Sequence, residues 1–320
     1  MSTKSDLSRV TRIEAAEGFP EVILLDNINA CNLQCSMCDH ANMKQHRPVR
    51  RMDLDLYKRL IDEIAVERPD ARLWEIFFGD PFLCTDMAQR IRYAKDKGLS
   101  DVVLNTNGVL MKPERAKAVI EAGLDAMYVG IDAAKADTYA KIRVGGDYDT
   151  AVANVLAYRD LLASVGRPEQ KLFVQFVLSD INETEVDAFR AFWTGQGVNV
   201  KVRPKVSWAG LVSADNLTDN AAVARKPCYW LMRTINICAD GRVALCSVDV
   251  HCRVPCGDAN TASIKELWAG MLAEYRRMHA EGRFDELPEM CRECRDWQSA
   301  YAAYHAPSAP DAPGTDNACS

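Results

Sequence analysis

Apolar positions along this chain recur with two different periods, and the two alternate. Short apolar runs of strand type are separated by longer stretches whose apolar residues return at helical spacing. The strand-like runs are residues 21–29 (EVILLDNIN), 73–78 (LWEIFF), 102–104, 126–132 (AMYVGID), 172–178 (LFVQFVL) and 198–202. Between them the spacing predicts helices over 54–67, 85–97, 113–122, 148–162 and 183–194, with Gly98 and Gly123 as stops. Six strands alternating with helices over 20–204 specify an α/β fold on a parallel sheet with right-handed crossovers.

The polar and glycine-rich motifs fall just after these strands. They are Cys31–Cys38, Gly79-Asp80-Pro81, Asn105-Thr106-Asn107-Gly108 and Asp132. In a β/α barrel the carboxyl ends of the strands share one mouth, so these segments should converge there. The first, Cys31-Asn-Leu-Gln-Cys35-Ser-Met-Cys38, sets three thiols at C-x3-C-x2-C spacing. A [4Fe–4S] cube takes four ligands, one per iron, so three thiolates leave one iron open. An open position marks a reactive centre rather than a structural one, as it does for zinc.

Twelve cysteines are many for a chain with no apolar signal segment. In a reducing compartment they read as metal ligands or reactive thiols before disulfides. Seven lie between 228 and 294, and none lies between 85 and 227. That gap separates two sites. The expected organisation is an extension over 1–19, a barrel over 20–204, a linker over 205–227, a second module over 228–300 and a disordered Pro/Ala/Ser tail over 301–320. In the second module 234–237 and 243–246 flank Asp240-Gly241, a hairpin signal. Residues 264–280 read as one amphipathic helix, and Cys291-Arg-Glu-Cys294 closes the module.

The composition is that of an ordinary globular protein, with 48% hydrophobic and 26% charged residues. No apolar run approaches the roughly 20 residues of a membrane span, so the chain reads as cytoplasmic with no membrane partner. A net charge of −6 argues against a general nucleic-acid binder. Lys201, Arg203 and Lys205 near the end of the sixth strand could bind an anion or form a solvated edge.

With these motifs placed, the sequence resembles the radical S-adenosylmethionine (SAM) enzymes, in the subgroup with a C-terminal SPASM or twitch extension. The resemblance covers about 20–300. Gly79-Asp80-Pro81 stands where the family has Gly-Gly-Glu-Pro, with Phe78 for the first glycine and Asp80 for the glutamate. Asn105–Gly108 matches the family's T-N-G. Gly130-Ile131-Asp132 is similar to its Ser-Ile-Asp without the serine, and Ile142-Arg143 resembles an arginine near the methionine carboxylate. The resemblance implies a partial (β/α)6 TIM-like barrel with a twitch (truncated SPASM) iron–sulfur module. It implies SAM and two [4Fe–4S] clusters as cofactors: Cys31, Cys35 and Cys38 for the first, Cys228, Cys246, Cys291 and Cys294 for the second. A structural zinc site is the other reading of the second set. Gly79, Asp80, Asn105, Asn107, Asp132, Arg143 and Gln175 are the implied cofactor contacts. Asp80 would meet the methionine ammonium and Arg143 its carboxylate. Gln175 could equally be a bonded core glutamine, and His40 reads as loop structure.

Reductive cleavage of SAM gives a 5′-deoxyadenosyl radical that takes a hydrogen atom from substrate. A fully ligated second cluster suits electron transfer. The expected reaction is two-electron oxidation of a secondary alcohol in a sugar or aminocyclitol, with a flavodoxin- or ferredoxin-type reductant. The alternatives are an epimerase using Cys252 or Cys256 as hydrogen donor, a peptide-modifying maturase, and an electron-transfer iron–sulfur protein. Cys252, Cys256, Cys238 and Cys84 also read as small buried filler.

Overall fold

The six strands expected between 20 and 204 form one parallel sheet. The computed structural model describes residues 15–167, 170–213 and 224–300. The first 14 residues, the middle of the expected linker and the tail expected to be disordered lie outside the described residues. The strands are β1 (Val22–Leu25), β2 (Arg72–Trp74), β3 (Asp101–Thr106), β4 (Ala126–Gly130), β5 (Lys171–Leu178) and β6 (Asn199–Pro204). Each pairs in parallel with the next in sequence. That is the sheet of a partial β/α barrel.

Both faces of the sheet are covered, as parallel sheets require. Ile23, Leu25, Leu73, Val102, Leu104, Met127 and Val129 join the main core with the helices. Val22, Trp74, Val103, Ala126 and Tyr128 form a second cluster with Leu24 and Phe173. The alternation follows from the two-residue strand period. Each fully buried aliphatic side chain contributes about 1.5–3 kcal/mol. The helix Leu54–Glu67 is held at its start by Asp53, whose carboxylate accepts from the Asp55 and Leu56 amides. It buries Leu56, Tyr57, Leu60, Ile61 and Ile64.

The second module continues this sheet. Strand β7 (Thr234–Ile237) pairs in parallel with β1, with Val22 opposite Thr234 and Leu25 opposite Ile237. Strands β8 (Arg242–Ala244) and β9 (Pro255–Asp258) add antiparallel. The order is β6-β5-β4-β3-β2-β1-β7-β8-β9. The segment that follows β1, which carries the first cysteines, therefore lies beside the module that carries the second set.

Three expected elements differ. The first strand stops at Leu25, where the Asn27 amide turns back onto the Leu25 carbonyl at 2.9 Å; the Asp26 and Asn27 side chains bond Arg47 at 3.0 Å and Glu75 at 2.6 Å. The second stops at Trp74; the Glu75 amide still reaches the Val103 carbonyl at 3.1 Å, and its carboxylate accepts from the Tyr57 hydroxyl at 2.5 Å. The helix expected over 264–280 is broken at Gly270 (φ −83°, ψ −133°) into Ile264–Ala269 and Met271–Glu281. A Ser263/Glu266 capping box starts the first piece.

Glu75 makes stability depend on pH. Burial raises its pKa from 4.5 to about 7, against the lowering effect of Tyr57, Asn27 and Arg90. Between those two values the folded chain holds a proton that the unfolded chain has lost. This contribution to stability is thus full below about pH 4.5 and lost as pH rises through about 7. Urea unfolding at pH 5.5 and pH 8 should show Glu75→Gln losing less stability on going to the higher pH than the parent does. Equal losses in the two proteins would exclude this role.

Candidate functional site

At the carboxyl ends of the strands a cavity of about 170 Å³ collects most of the motifs singled out in the sequence. Cys31, Cys35 and Cys38 line one side, with Gly79, Asp80, Asn105, Asn107, Arg143 and Gln175 around them. Gly79 is the pivot of this arrangement. A Cβ there would collide with the carbonyl oxygens of Ile28 and Ala30, in the backbone that leads into Cys31. The Asp80 amide donates to the Ala30 carbonyl at 2.8 Å, which docks the cysteine loop on the second strand's end.

Asp80 is 1% exposed, and its carboxylate accepts three internal hydrogen bonds. They come from the Phe82 amide at 3.0 Å, the Thr106 hydroxyl at 2.8 Å and the Asn107 amide at 2.9 Å. About one of its four acceptor directions stays free. Burial raises its pKa; those same bonds oppose the rise. Asn107 donates to Asn32 Oδ1 at 2.9 Å and faces Cys31 Sγ at 3.9 Å. Gln175 donates to Asn105 Oδ1 at 2.9 Å, so it is a bonded glutamine that also lines the cavity.

Asp132 is placed differently from the other expected contacts: its side chain is fully buried and does not line the cavity. It sits in left-handed backbone (φ 60°), accepts the Val177 amide at 2.6 Å and holds Arg143 Nε at 2.6 Å. Arg143 in turn points Nη1 at Cys35 Sγ, 3.8 Å away. Gly130 makes this possible: a Cβ at that position would occupy the space of the Arg143 guanidinium.

The thiols suit a cationic centre. Burial pushes Cys31 up to about 11 and Cys38 up to about 12; backbone hydrogen bonds from Leu33 and His40 and the charge of Arg143 oppose the rise, and the neighbouring cysteines add to it. Three half-buried thiols on one cavity, once ionised, call for a positively charged group, and three donors on an open cavity leave room for a further ligand. The residues present therefore fit a cluster with one free position.

The second set is arranged differently. Cys228, Cys246, Cys291 and Cys294 surround a space of only about 20 Å³, walled by Leu231, Val248, Met290 and Trp297. Burial raises Cys228 to about 11 and Cys291 to about 12, and drives Cys246 and Cys294 well up, with the other cysteines' charges adding to the rise in all but Cys228. Among the described residues no three His, Cys, Asp or Glu side chains are close enough to share one ion. Four thiols around one enclosed space fit a group that they ligate completely.

Two expected hydrogen donors are not at the site. Cys252 lies beside Cys238 in a separate apolar cluster, and Cys256 bonds the Val254 carbonyl at 3.4 Å. Neither lines the cavity. Cys84 is buried against Asp86 Oδ1 at 3.0 Å. Conversely, Trp208 falls in the stretch read as a linker, yet it is part of the wall. Its indole donates to the Met37 carbonyl at 2.8 Å and meets the Phe78 ring edge-on. Asp296 anchors this loop by accepting the Ser207 and Ala209 amides at 2.6 and 2.8 Å. A tryptophan between Ser207 and Ala209-Gly210 was the one signal that this stretch is ordered. His251, in the second module, meets Asp39 just after the cysteine loop at 2.5 Å.

Among the described residues no helix is long and apolar enough to cross a membrane. The family model for the radical SAM superfamily matches residues 28–168, and that for the SPASM iron–sulfur cluster-binding domain matches 228–295. The AdoMet-dependent heme synthase of Methanosarcina barkeri is 32% identical over 45% of this chain and 41% of its own length. The mycofactocin maturase MftC of Mycolicibacterium smegmatis is 26% identical over 70% of this chain and 54% of its own length. The chain thus spans about half or less of these curated relatives. The structure of BtrN in complex with AdoMet and 2-DOIA superposes with a TM-score of 0.60 at 16% identity, covering 88% of this chain and 94% of BtrN.

Proposed function

The chain belongs to the radical SAM superfamily and carries a SPASM-type iron–sulfur module, and we propose that it oxidises a secondary alcohol of a sugar or aminocyclitol by two electrons. SAM and the two clusters, when bound, would supply a radical that takes the carbinol hydrogen atom and an acceptor for the one remaining electron, the hydroxyl proton being released as the ketone forms.

The chain's residues would position and shield this chemistry. Cys31, Cys35 and Cys38 would hold the first cluster, and Arg143 would offset the charge on Cys35. The free acceptor direction of Asp80 would take the methionine ammonium, a charge-assisted contact of about 1.5–3 kcal/mol. Asn107 and the Asn105–Gln175 pair would bond the nucleoside polar groups. Phe77, Phe78, Val177 and Trp208 would keep water from the cavity. Cys228, Cys246, Cys291 and Cys294 would hold the second cluster.

The observation that carries the reading is the contrast between the two thiol sets. Three thiols face an open cavity and four close on a small apolar one. A group with no free position cannot grip substrate, so its use is to exchange electrons. A peptide-modifying reading draws on the likeness to a maturase over 70% of the chain. The epimerase reading finds no thiol on the cavity wall, among the described residues, beyond the three that would hold the first cluster. We place the protein in the cytoplasm, with a flavodoxin- or ferredoxin-type reductant and without nucleic acid. The test is turnover of sugar and aminocyclitol alcohols deuterated at each carbinol carbon. One ketone per 5′-deoxyadenosine is expected, with the deuterium in the nucleoside. A product at the oxidation level of the substrate, or turnover only of peptides, would refute it.

A further inference from the structure

The sixth strand carries charge on the wrong side for a simple solvated edge. Along β6 the side chains alternate. Val200 and Val202 pack on the main core with the helices. Lys201, Arg203 and Lys205 share the other side by the two-residue period. Lys201 Nζ stands 5.2 Å over the Tyr128 ring, which belongs to the inner cluster of the sheet. Arg203 and Lys205 line the same cavity as the three thiols. Edge strands often carry lysine to discourage pairing, but such charges face water. Arg203 Nε is instead buried with no hydrogen-bond acceptor.

The charge balance of the cavity sharpens this point. Its other charged lining residues are Asp80 and Arg143. Asp80 holds three internal bonds, with its one free direction given to the cofactor's ammonium, and Arg143 is paired with Asp132. No carboxylate among the described residues pairs with Arg203 or Lys205. Both residues are half-buried, and a buried guanidinium donor left unmet is costly unless a bound anion completes it.

From this we infer that Arg203 and Lys205 hold a phosphate group of the substrate, so that the alcohol oxidised is phosphorylated. The inference rests on the reading that this cavity is where the radical acts, and it narrows the substrate class. The fork of Arg203 suits paired oxygens of a phosphate or carboxylate, and Lys205 adds a point charge of the kind that phosphate sites use. The same wall would repel a substrate whose only charge is an ammonium group.

The cofactor's own carboxylate is the competing source of negative charge, and the experiment separates the two. Anaerobically reconstituted full-length protein, saturated with SAM, is titrated calorimetrically with inorganic phosphate and, separately, with acetate. Arg203→Gln and Lys205→Gln are each compared with the parent, and their iron content and melting temperature report folding. Phosphate should bind in the presence of SAM, more tightly than acetate, and each variant should weaken it about tenfold or more. SAM affinity should stay within about twofold of the parent in both variants, a change worth under 0.5 kcal/mol. No phosphate binding, or binding unchanged in both variants, overturns the inference. Acetate binding as tightly as phosphate overturns it in favour of a carboxylate. Competition between phosphate and SAM, with both variants losing SAM affinity, assigns the two cations to the cofactor and also overturns it. Failure of the parent protein to cleave SAM would sink the proposed function alone, because phosphate binding is read separately.

Discussion

Protein with Cys35 replaced by alanine should bind about half the iron of the parent and form no 5′-deoxyadenosine above the blank. Cys35 is the thiol that faces Arg143, 3.8 Å from its guanidinium, and it stands between Cys31 and Cys38 in the loop docked on Gly79. Two remaining thiols leave two irons of a cube without protein ligands. The loss should therefore be of the whole cluster, and the second set, in its own enclosed space, should keep its iron. Two cubes predict about eight irons in the parent and about four in the variant. Cys84→Ala is the control. That thiol is buried against Asp86 and does not line the cavity, so its removal should leave iron content at the parent level. Iron content unchanged in Cys35→Ala would contradict the assignment.

The paired substitution Cys291→Ala/Cys294→Ala should produce the opposite pattern. Iron again falls to about four per chain, but 5′-deoxyadenosine still forms, because the first thiol set and its cavity are untouched. Ketone formation should stop, since the electron left by the alcohol has no acceptor within the protein. The ratio of ketone to 5′-deoxyadenosine, near one in the parent, is the measurement that isolates this effect. The enclosed thiols also stabilise the fold around their cluster, so the variant should melt at a lower temperature. Ketone formed at the parent's ratio with half the iron would remove the second cluster from the reaction.

Much of this was readable in the sequence because it depends on local spacing. The strand and helix periods placed all six parallel strands, and the three clustered cysteines needed no partner from elsewhere in the chain. What escaped depends on contacts between distant segments. Nothing in the run around Gly130 says that an arginine thirteen residues on will occupy the space of a side chain there. Asp132 ends a strand as a ligand-binding acid might, yet it is buried under Arg143. The stretch around Trp208 reads as a linker by composition, but it is pinned by Asp296 from the other end of the second module. Cys252 and Cys256 are close in sequence to ligand cysteines and still lie off the cavity. The break at Gly270 is a local signal that the amphipathic pattern on either side concealed.

The central claim is that the loop of Cys31, Cys35 and Cys38 holds a redox-active cluster whose free position takes SAM. Its most direct test is chromatographic measurement of 5′-deoxyadenosine after anaerobically reconstituted protein is mixed with dithionite and SAM. The account predicts 5′-deoxyadenosine and methionine in equal amounts, both dependent on the protein and the reductant. Protein that carries its full iron and yields neither would contradict it.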